Sequence, residues 1–67
     1  MTTDIDIFRA ANTLINRYGE TAVIAARLRA DSMREKGDLG GYAVWRRITQ
    51  AVDEIGREER REGEAVN

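Results

Sequence analysis

The chain has 67 residues, with 11 Lys and Arg against 12 Asp and Glu, and it contains no His, Cys or Pro. This length suits one small domain, and the missing Cys and His exclude a disulfide scaffold, a thiol nucleophile and the commonest metal ligands. The net charge of −1 gives no overall attraction to nucleic acid or to an anionic membrane. No apolar run approaches the ~20 residues of a membrane span. We therefore expect a cytoplasmic protein without metal, cofactor or membrane partner.

The first predicted element is a helix over residues 4–18. Thr3 can cap its first free amides, and Asp6 stands three residues later, where its carboxylate can reach back to the cap. Apolar residues then recur with the 3.6-residue period of one buried helix face, namely Ile7, Phe8, Ala11, Leu14, Ile15 and Tyr18. Gly19 follows directly, and a glycine in that place is a common helix terminator.

The second predicted helix covers residues 21–36 and ends at Gly37. Its early part is apolar on every side, with the sequence Ala22, Val23, Ile24, Ala25 and Ala26. Val23 and Ile24 lie about 100° apart on a helix, so both can hardly face the same two neighbouring helices. Either the first and third helices flank the second closely enough to cover both, or one of them, with Leu28 in line with Ile24, leaves an apolar strip at the surface. Ile24 and Leu28 are therefore the candidate interface residues.

The third predicted helix covers residues 39–55, and Asp38 is its candidate cap. Gly40 and Gly41 weaken its first turn by up to ~1 kcal/mol each relative to Ala. One apolar stripe then runs along the helix and comprises Val44, Trp45, Ile48, Val52 and Ile55. This stripe indicates a helix that is buried along one side.

After Gly56 the sequence is almost entirely charged, so residues 57–67 are expected to form a charged C-terminal tail that frays. Opposite charges at helical spacing, such as Asp53 with Arg57, can extend the third helix by a turn or two. Connections of two to five residues make consecutive helices antiparallel neighbours. The sequence therefore predicts an all-α fold, a small three-helix bundle over residues 1–56 followed by the tail.

Nothing in the sequence predicts catalysis. Ser32 has no His to activate it, and the acidic pairs Asp53/Glu54 and Glu58/Glu59 lie where solvent stabilises their charge. The glycine-rich run over residues 37–41 lacks the Lys of a phosphate-binding loop and follows a helix rather than a strand. We therefore expect no enzyme, and we assign no catalytic, cofactor-binding or metal-binding residue.

A set of residues along the second and third helices forms a recognisable pattern, Ala26-Arg27-Leu28-Arg29-Ala30-Asp31, then Gly37, Asp38, Gly41, Trp45, Arg47 and Ile48. This pattern resembles that of a family of short, uncharacterised bacterial proteins, a domain of unknown function, over about residues 5–55. The chain departs from the family pattern at Arg27 and Tyr18. The resemblance implies an all-helical fold and supplies no activity. It also implies one linked cluster of structural or interaction residues, namely Arg29, Asp31, Asp38, Trp45 and Arg47.

Two members of this cluster carry specific expectations. Trp45 lies on the apolar stripe of the third helix, so we expect its ring to be mostly buried against the first helix. Asp31 lies in the middle of a helix, where Asp is a poor helix former. We expect it to accept hydrogen bonds from an Arg or from amide groups of the turn over residues 37–41.

Two hypotheses of function follow, from different classes. The first is a small non-catalytic interaction or adaptor module that uses a helix face to bind a protein partner or, weakly, itself. The alternative is a nucleic-acid-associated regulator, because the second helix is the only basic element and Arg46 and Arg47 could join it on the third. Arg27 and Arg34 flank Asp31 at helical spacing, which neutralises part of that charge locally. We therefore favour the interaction module.

Overall fold

The computed structural model describes the backbone of residues 3–66 and the side chains of residues 3–59. In this range every regular element is helical: α1 (Asp4–Tyr18), a 3₁₀ turn (Gly19–Thr21), α2 (Ala22–Glu35) and α3 (Leu39–Val66). The predicted all-α class is confirmed. The predicted limits of the first two helices agree with α1 and α2 to within one residue.

The start of α1 has the predicted capping box. The Thr3 hydroxyl accepts a hydrogen bond from the Asp6 amide, and the Asp6 carboxylate accepts one from the Thr3 amide, both at 3.2 Å. At the other end Gly19 has a φ of 58°, a region that L residues with side chains rarely adopt. The capping box and this glycine together account for the length of α1.

The turn between α2 and α3 depends on Gly37 and Asp38. Gly37 has a φ of 80°, and the Asp38 amide donates to the carbonyl oxygen of Met33 at 2.9 Å. The Asp38 carboxylate accepts a hydrogen bond from the Gly41 amide at 2.9 Å. Asp38 is therefore the cap of α3, as predicted, and it also ties the start of α3 to the end of α2.

The predicted end of the third helix near Ile55 is wrong, because α3 continues to Val66. Gly56 lowers helix stability but does not prevent helical geometry, and the residues after it are mostly Arg and Glu, which favour helix. Asp53 and Arg57 form the predicted ion pair at 3.1 Å across the position of Gly56. Since 28 residues of α-helix span about 42 Å, α3 accounts for the 46 Å length of the molecule.

The core lies along one side of α3. The backbones of α2 and α3 lie close together at the most positions, those of α1 and α3 at fewer, and those of α1 and α2 at the fewest of the three pairs. The buried cluster contains Ile7, Ala11, Leu14, Ala22, Ala26, Ile48 and Val52. Phe8 and Tyr18 belong to the predicted buried stripe of α1 but are exposed. The predicted stripe was therefore wider than the face that α1 buries.

Candidate functional site

α2 buries small side chains and exposes large apolar ones, which is the reverse of the usual arrangement in a globular protein. The buried residues of α2 are all alanine, namely Ala22, Ala26 and Ala30. Ile24 is 58% exposed and Leu28 63% exposed, although they are the largest aliphatic side chains of this helix. Each stands two residues from Ala26, which places it about 160° away around the helix. α2 thus fully buries only alanine, while its two largest aliphatic side chains face solvent.

The other exposed apolar side chains lie either on a helix that buries large residues of its own or at the end of a helix. Ile5 and Phe8 are exposed on α1, but α1 buries its own large residues, Ile7 and Leu14. Tyr18 and Leu39 are exposed at helix ends. Scattered exposed apolar side chains are ordinary in soluble proteins. The pair on α2 is distinctive because the fully buried side chains of that helix are all alanine, while Val23 and Met33 are only partly buried.

Arg27 and Asp31 adjoin this apolar pair, one helical turn apart on the same side of it. We define the outer face of α2 as Ile24, Arg27, Leu28 and Asp31. Both charged side chains are exposed, and among the residues with described side chains neither forms an ion pair within 4.0 Å. The outer face therefore combines two apolar side chains with one free positive and one free negative charge.

The prediction that Asp31 is a structural hub is wrong. Its side chain is exposed and accepts no hydrogen bond within the part of the chain whose side chains are described. The turn amide that it was expected to bind donates to Asp38 instead, because Asp38 stands at the cap position of α3, three residues before Gly41. Asp31 is left as a surface charge on the outer face of α2.

Trp45 is intermediate in burial and most of its surface is covered, in agreement with the predicted burial. It packs against the edge of the core cluster, and the guanidinium carbon of Arg29 lies 5.5 Å from the centroid of its ring. This distance is typical of a cation–π contact. The indole is therefore shielded in part by a charged side chain of α2, and its contact with the first helix stays a prediction.

Arg47 faces α1, where its guanidinium forms an ion pair with the Asp4 carboxylate. Asp4 is almost fully exposed, so solvent weakens this pair, which mainly aligns the first turn of α1 with α3. Arg29 and Trp45 are in contact, whereas Asp31, Asp38 and Arg47 each lie elsewhere. The five residues of the predicted cluster are therefore not one connected group among the described contacts.

A polar groove of about 260 Å³ lies between α2 and α3, beside the outer face. Arg27 and Asp31 line it from α2, and Tyr42, Arg46, Thr49 and Gln50 line it from α3. The guanidinium carbon of Arg46 lies 5.9 Å from the centroid of the Tyr42 ring. Sequence reasoning missed Tyr42, although its spacing of four residues from Arg46 places both on one helix face.

A second cleft, of about 320 Å³, lies where the turn after α1 meets the middle of α3. Its apolar walls are Ile15, Val23 and Val52, and its rim carries the carboxylates of Glu20, Asp53 and Glu59. Over the described residues, no group of carboxylate side chains is arranged to hold a metal ion. Within the same part of the chain, no helix combines the length and the apolar character needed to cross a membrane.

No family model matches the chain, and no curated protein or solved structure is significantly similar to it. The resemblance to the family of short bacterial proteins therefore stays a prediction.

Proposed function

We propose that this chain is a small three-helix bundle that acts as a non-catalytic protein-interaction module through the outer face of α2. One observation carries the proposal: α2 buries only alanine on its inner side while Ile24 and Leu28 stand in solvent. Because each fully buried Leu or Ile contributes roughly 1.5–3 kcal/mol, a helix that served only its own core would bury them. A partner that covers the outer face supplies this burial.

The alanine side of α2 supports the same proposal. Small side chains allow the axes of α2 and α3 to approach closely, which accounts for their extensive packing. Rotating α2 to bury Leu28 would force a large side chain into this narrow space. The sequence of α2 thus fits two neighbours at once, with α3 on the alanine side and a partner on the side of Ile24 and Leu28.

The nucleic-acid alternative has less support. Arg27 and Arg46 lie on one groove, but Asp31 lines the same groove. Arg47 is engaged with Asp4, and Arg29 covers the ring of Trp45. The basic side chains of α2 and α3 are therefore divided among separate contacts, whereas phosphate binding favours a continuous basic surface.

The proposal is tested by site-specific photo-cross-linking in the native cell. A photoreactive phenylalanine analogue is placed at Ile24 and, as the matched control, at Glu54, which is exposed on α3. We expect a discrete protein adduct from position 24 and none from position 54. Leu28→Glu in the same chain should abolish the adduct, because it places a charge in the centre of the apolar contact.

Two results would contradict the proposal. Equal adducts from positions 24 and 54 would show that position 24 meets other proteins only by collision. An adduct at position 24 that survives Leu28→Glu would show that the contact does not involve the apolar pair. Circular dichroism of each variant checks that the helices are retained.

A further inference from the structure

We infer that the cleft between the turn after α1 and the middle of α3 binds a basic segment of a protein partner, with an apolar side chain between its walls and a Lys or Arg at its rim. The cleft holds about 320 Å³, which is near the lower limit for small-molecule sites, so it suits one or two side chains of a peptide. It shares no lining residue with the outer face of α2. The inference is therefore independent of the function proposed for that face.

Three branched aliphatic side chains form the walls of the cleft. Ile15 from α1 and Val23 from α2 pack against the core cluster, to which Val52 of α3 belongs. Ile15 and Val23 are only partly buried, so both still have apolar surface in contact with water. An apolar side chain of a partner that enters the cleft removes this surface from water, which favours binding.

Gly56 keeps the cleft open on the side of α3. It lines the cleft together with Val52 and Glu59, which stand one turn before and one turn after it on the same face of α3. A Cβ atom added at Gly56 would meet no atom within 4 Å, so the space that a side chain would take is empty. Glycine disfavours the interior of a helix, and a larger residue fits here without collision. The residue at this position thus favours an open cleft over a more stable helix.

The rim of the cleft is acidic and sets the charge of the partner. Glu20 stands on the turn after α1, and Asp53 and Glu59 stand on α3. Asp53 is paired with Arg57 at 3.1 Å, whereas no ion pair within 4.0 Å involves Glu20 or Glu59 among the residues with described side chains. Over the same residues, no Lys or Arg lines the cleft. A segment with cationic side chains is therefore complementary to this rim.

Lys and Arg suit the cleft because each side chain has an apolar stem and a charged head. The stem can follow an apolar wall while the head reaches the carboxylates of the rim. An acidic segment would be repelled, and an uncharged one would cover the carboxylates without compensating their charge. The cleft thus favours a segment in which an apolar residue is flanked by basic residues.

The test is a nuclear magnetic resonance titration of the isotope-labelled full chain with the capped peptide Lys-Leu-Lys. We expect the amide signals of Gly19, Val23 and Gly56 to shift, with a dissociation constant of roughly 0.1–1 mM because few side chains are buried. Two peptides are the matched controls. Lys-Gly-Lys lacks the apolar side chain and Glu-Leu-Glu reverses the charge, and each should bind at least about tenfold more weakly.

Variants of the chain test the location of the site. Gly56→Leu should fill the cleft and weaken binding of Lys-Leu-Lys by at least about tenfold, while the helices are retained because Leu favours helix over Gly. Glu20→Gln and Glu59→Gln should each weaken it by about threefold, the effect of one partly exposed charge. Glu54→Gln removes an exposed carboxylate of α3 that does not line the cleft, and should leave the affinity unchanged.

Four outcomes would overturn the inference. No shift with Lys-Leu-Lys would show that the cleft does not bind such a segment. Equal affinity for Lys-Gly-Lys would remove the role of the apolar walls, and equal affinity for Glu-Leu-Glu that of the acidic rim. Unchanged binding by a Gly56→Leu variant with the normal circular dichroism spectrum would place the peptide outside the cleft.

Discussion

Gly41 lies where the end of α2, the Asp38 cap and the first turn of α3 crowd together. A Cβ atom at this position would lie 2.7 Å from the Asp38 carboxylate and 3.0 Å from the Met33 sulfur. Its amide also supplies the hydrogen bond to the cap. A Cβ atom at Gly40, the preceding residue, would be in ordinary van der Waals contact, with its nearest atom, an Asp38 carboxylate oxygen, at 3.8 Å. The two neighbouring glycines therefore have different roles.

This difference gives a prediction at the residue scale. Gly40→Ala should raise the free energy of unfolding by about 0.5–1 kcal/mol, because Ala favours helix over Gly. Gly41→Ala should lower it by about 1 kcal/mol, since displacing Asp38 costs more than the propensity gain. Urea denaturation of both variants measures the two changes. Equal stabilisation by both substitutions would show that Asp38 and Met33 do not crowd Gly41.

The long helix α3 makes a prediction at the scale of elements. Gly56 is inside α3, and a Cβ atom added there would meet no atom within 4 Å. Gly56→Ala should therefore stabilise the protein by roughly 0.5–1 kcal/mol and increase the helical signal at 222 nm. Circular dichroism with thermal unfolding measures both quantities. A loss of stability would mean that the chain needs glycine at this position and that α3 ends there.

The elements differ in how much of their structure could be predicted from the sequence. α1 was predictable because one capping box, one apolar stripe and one glycine all mark the same limits. The end of α3 was not, because a glycine followed by charged residues can either end a helix or continue it. Here the chain continues, with Asp53 and Arg57 paired across Gly56. Composition alone does not distinguish these two outcomes.

The candidate site was predictable only in part. The sequence offered Ile24 and Leu28 as candidate interface residues, because Val23 and Ile24 can hardly face the same two neighbouring helices, but it left open whether the other helices cover both. In the structure Ile24 and Leu28 are exposed, whereas Val23 is partly buried. The predicted cluster around Asp31 does not form, because its five residues point to different sides of α2 and α3. Asp38 binds the turn, and Arg47 reaches α1.

At the scale of the whole molecule, α3 is the element on which the other two helices pack. α1 brings large side chains to this contact and α2 brings alanine, so the two helices contribute unequally to the core. The stability of the isolated chain should therefore depend on the large side chains that α1 buries and hardly at all on Ile24 and Leu28 of α2. These two exposed side chains are available for contact with another molecule.

The free energies of unfolding of Leu28→Ala and Leu14→Ala, measured by urea denaturation at low protein concentration, test this account most directly. Leu28 is 63% exposed and Leu14 is 8% exposed, although both are leucines in the middle of a helix. We expect Leu28→Ala to change the free energy of unfolding by less than about 0.5 kcal/mol, and Leu14→Ala to lower it by about 2–5 kcal/mol. A comparable loss from Leu28→Ala would contradict the account, because it would place Leu28 in the core and remove the outer face of α2.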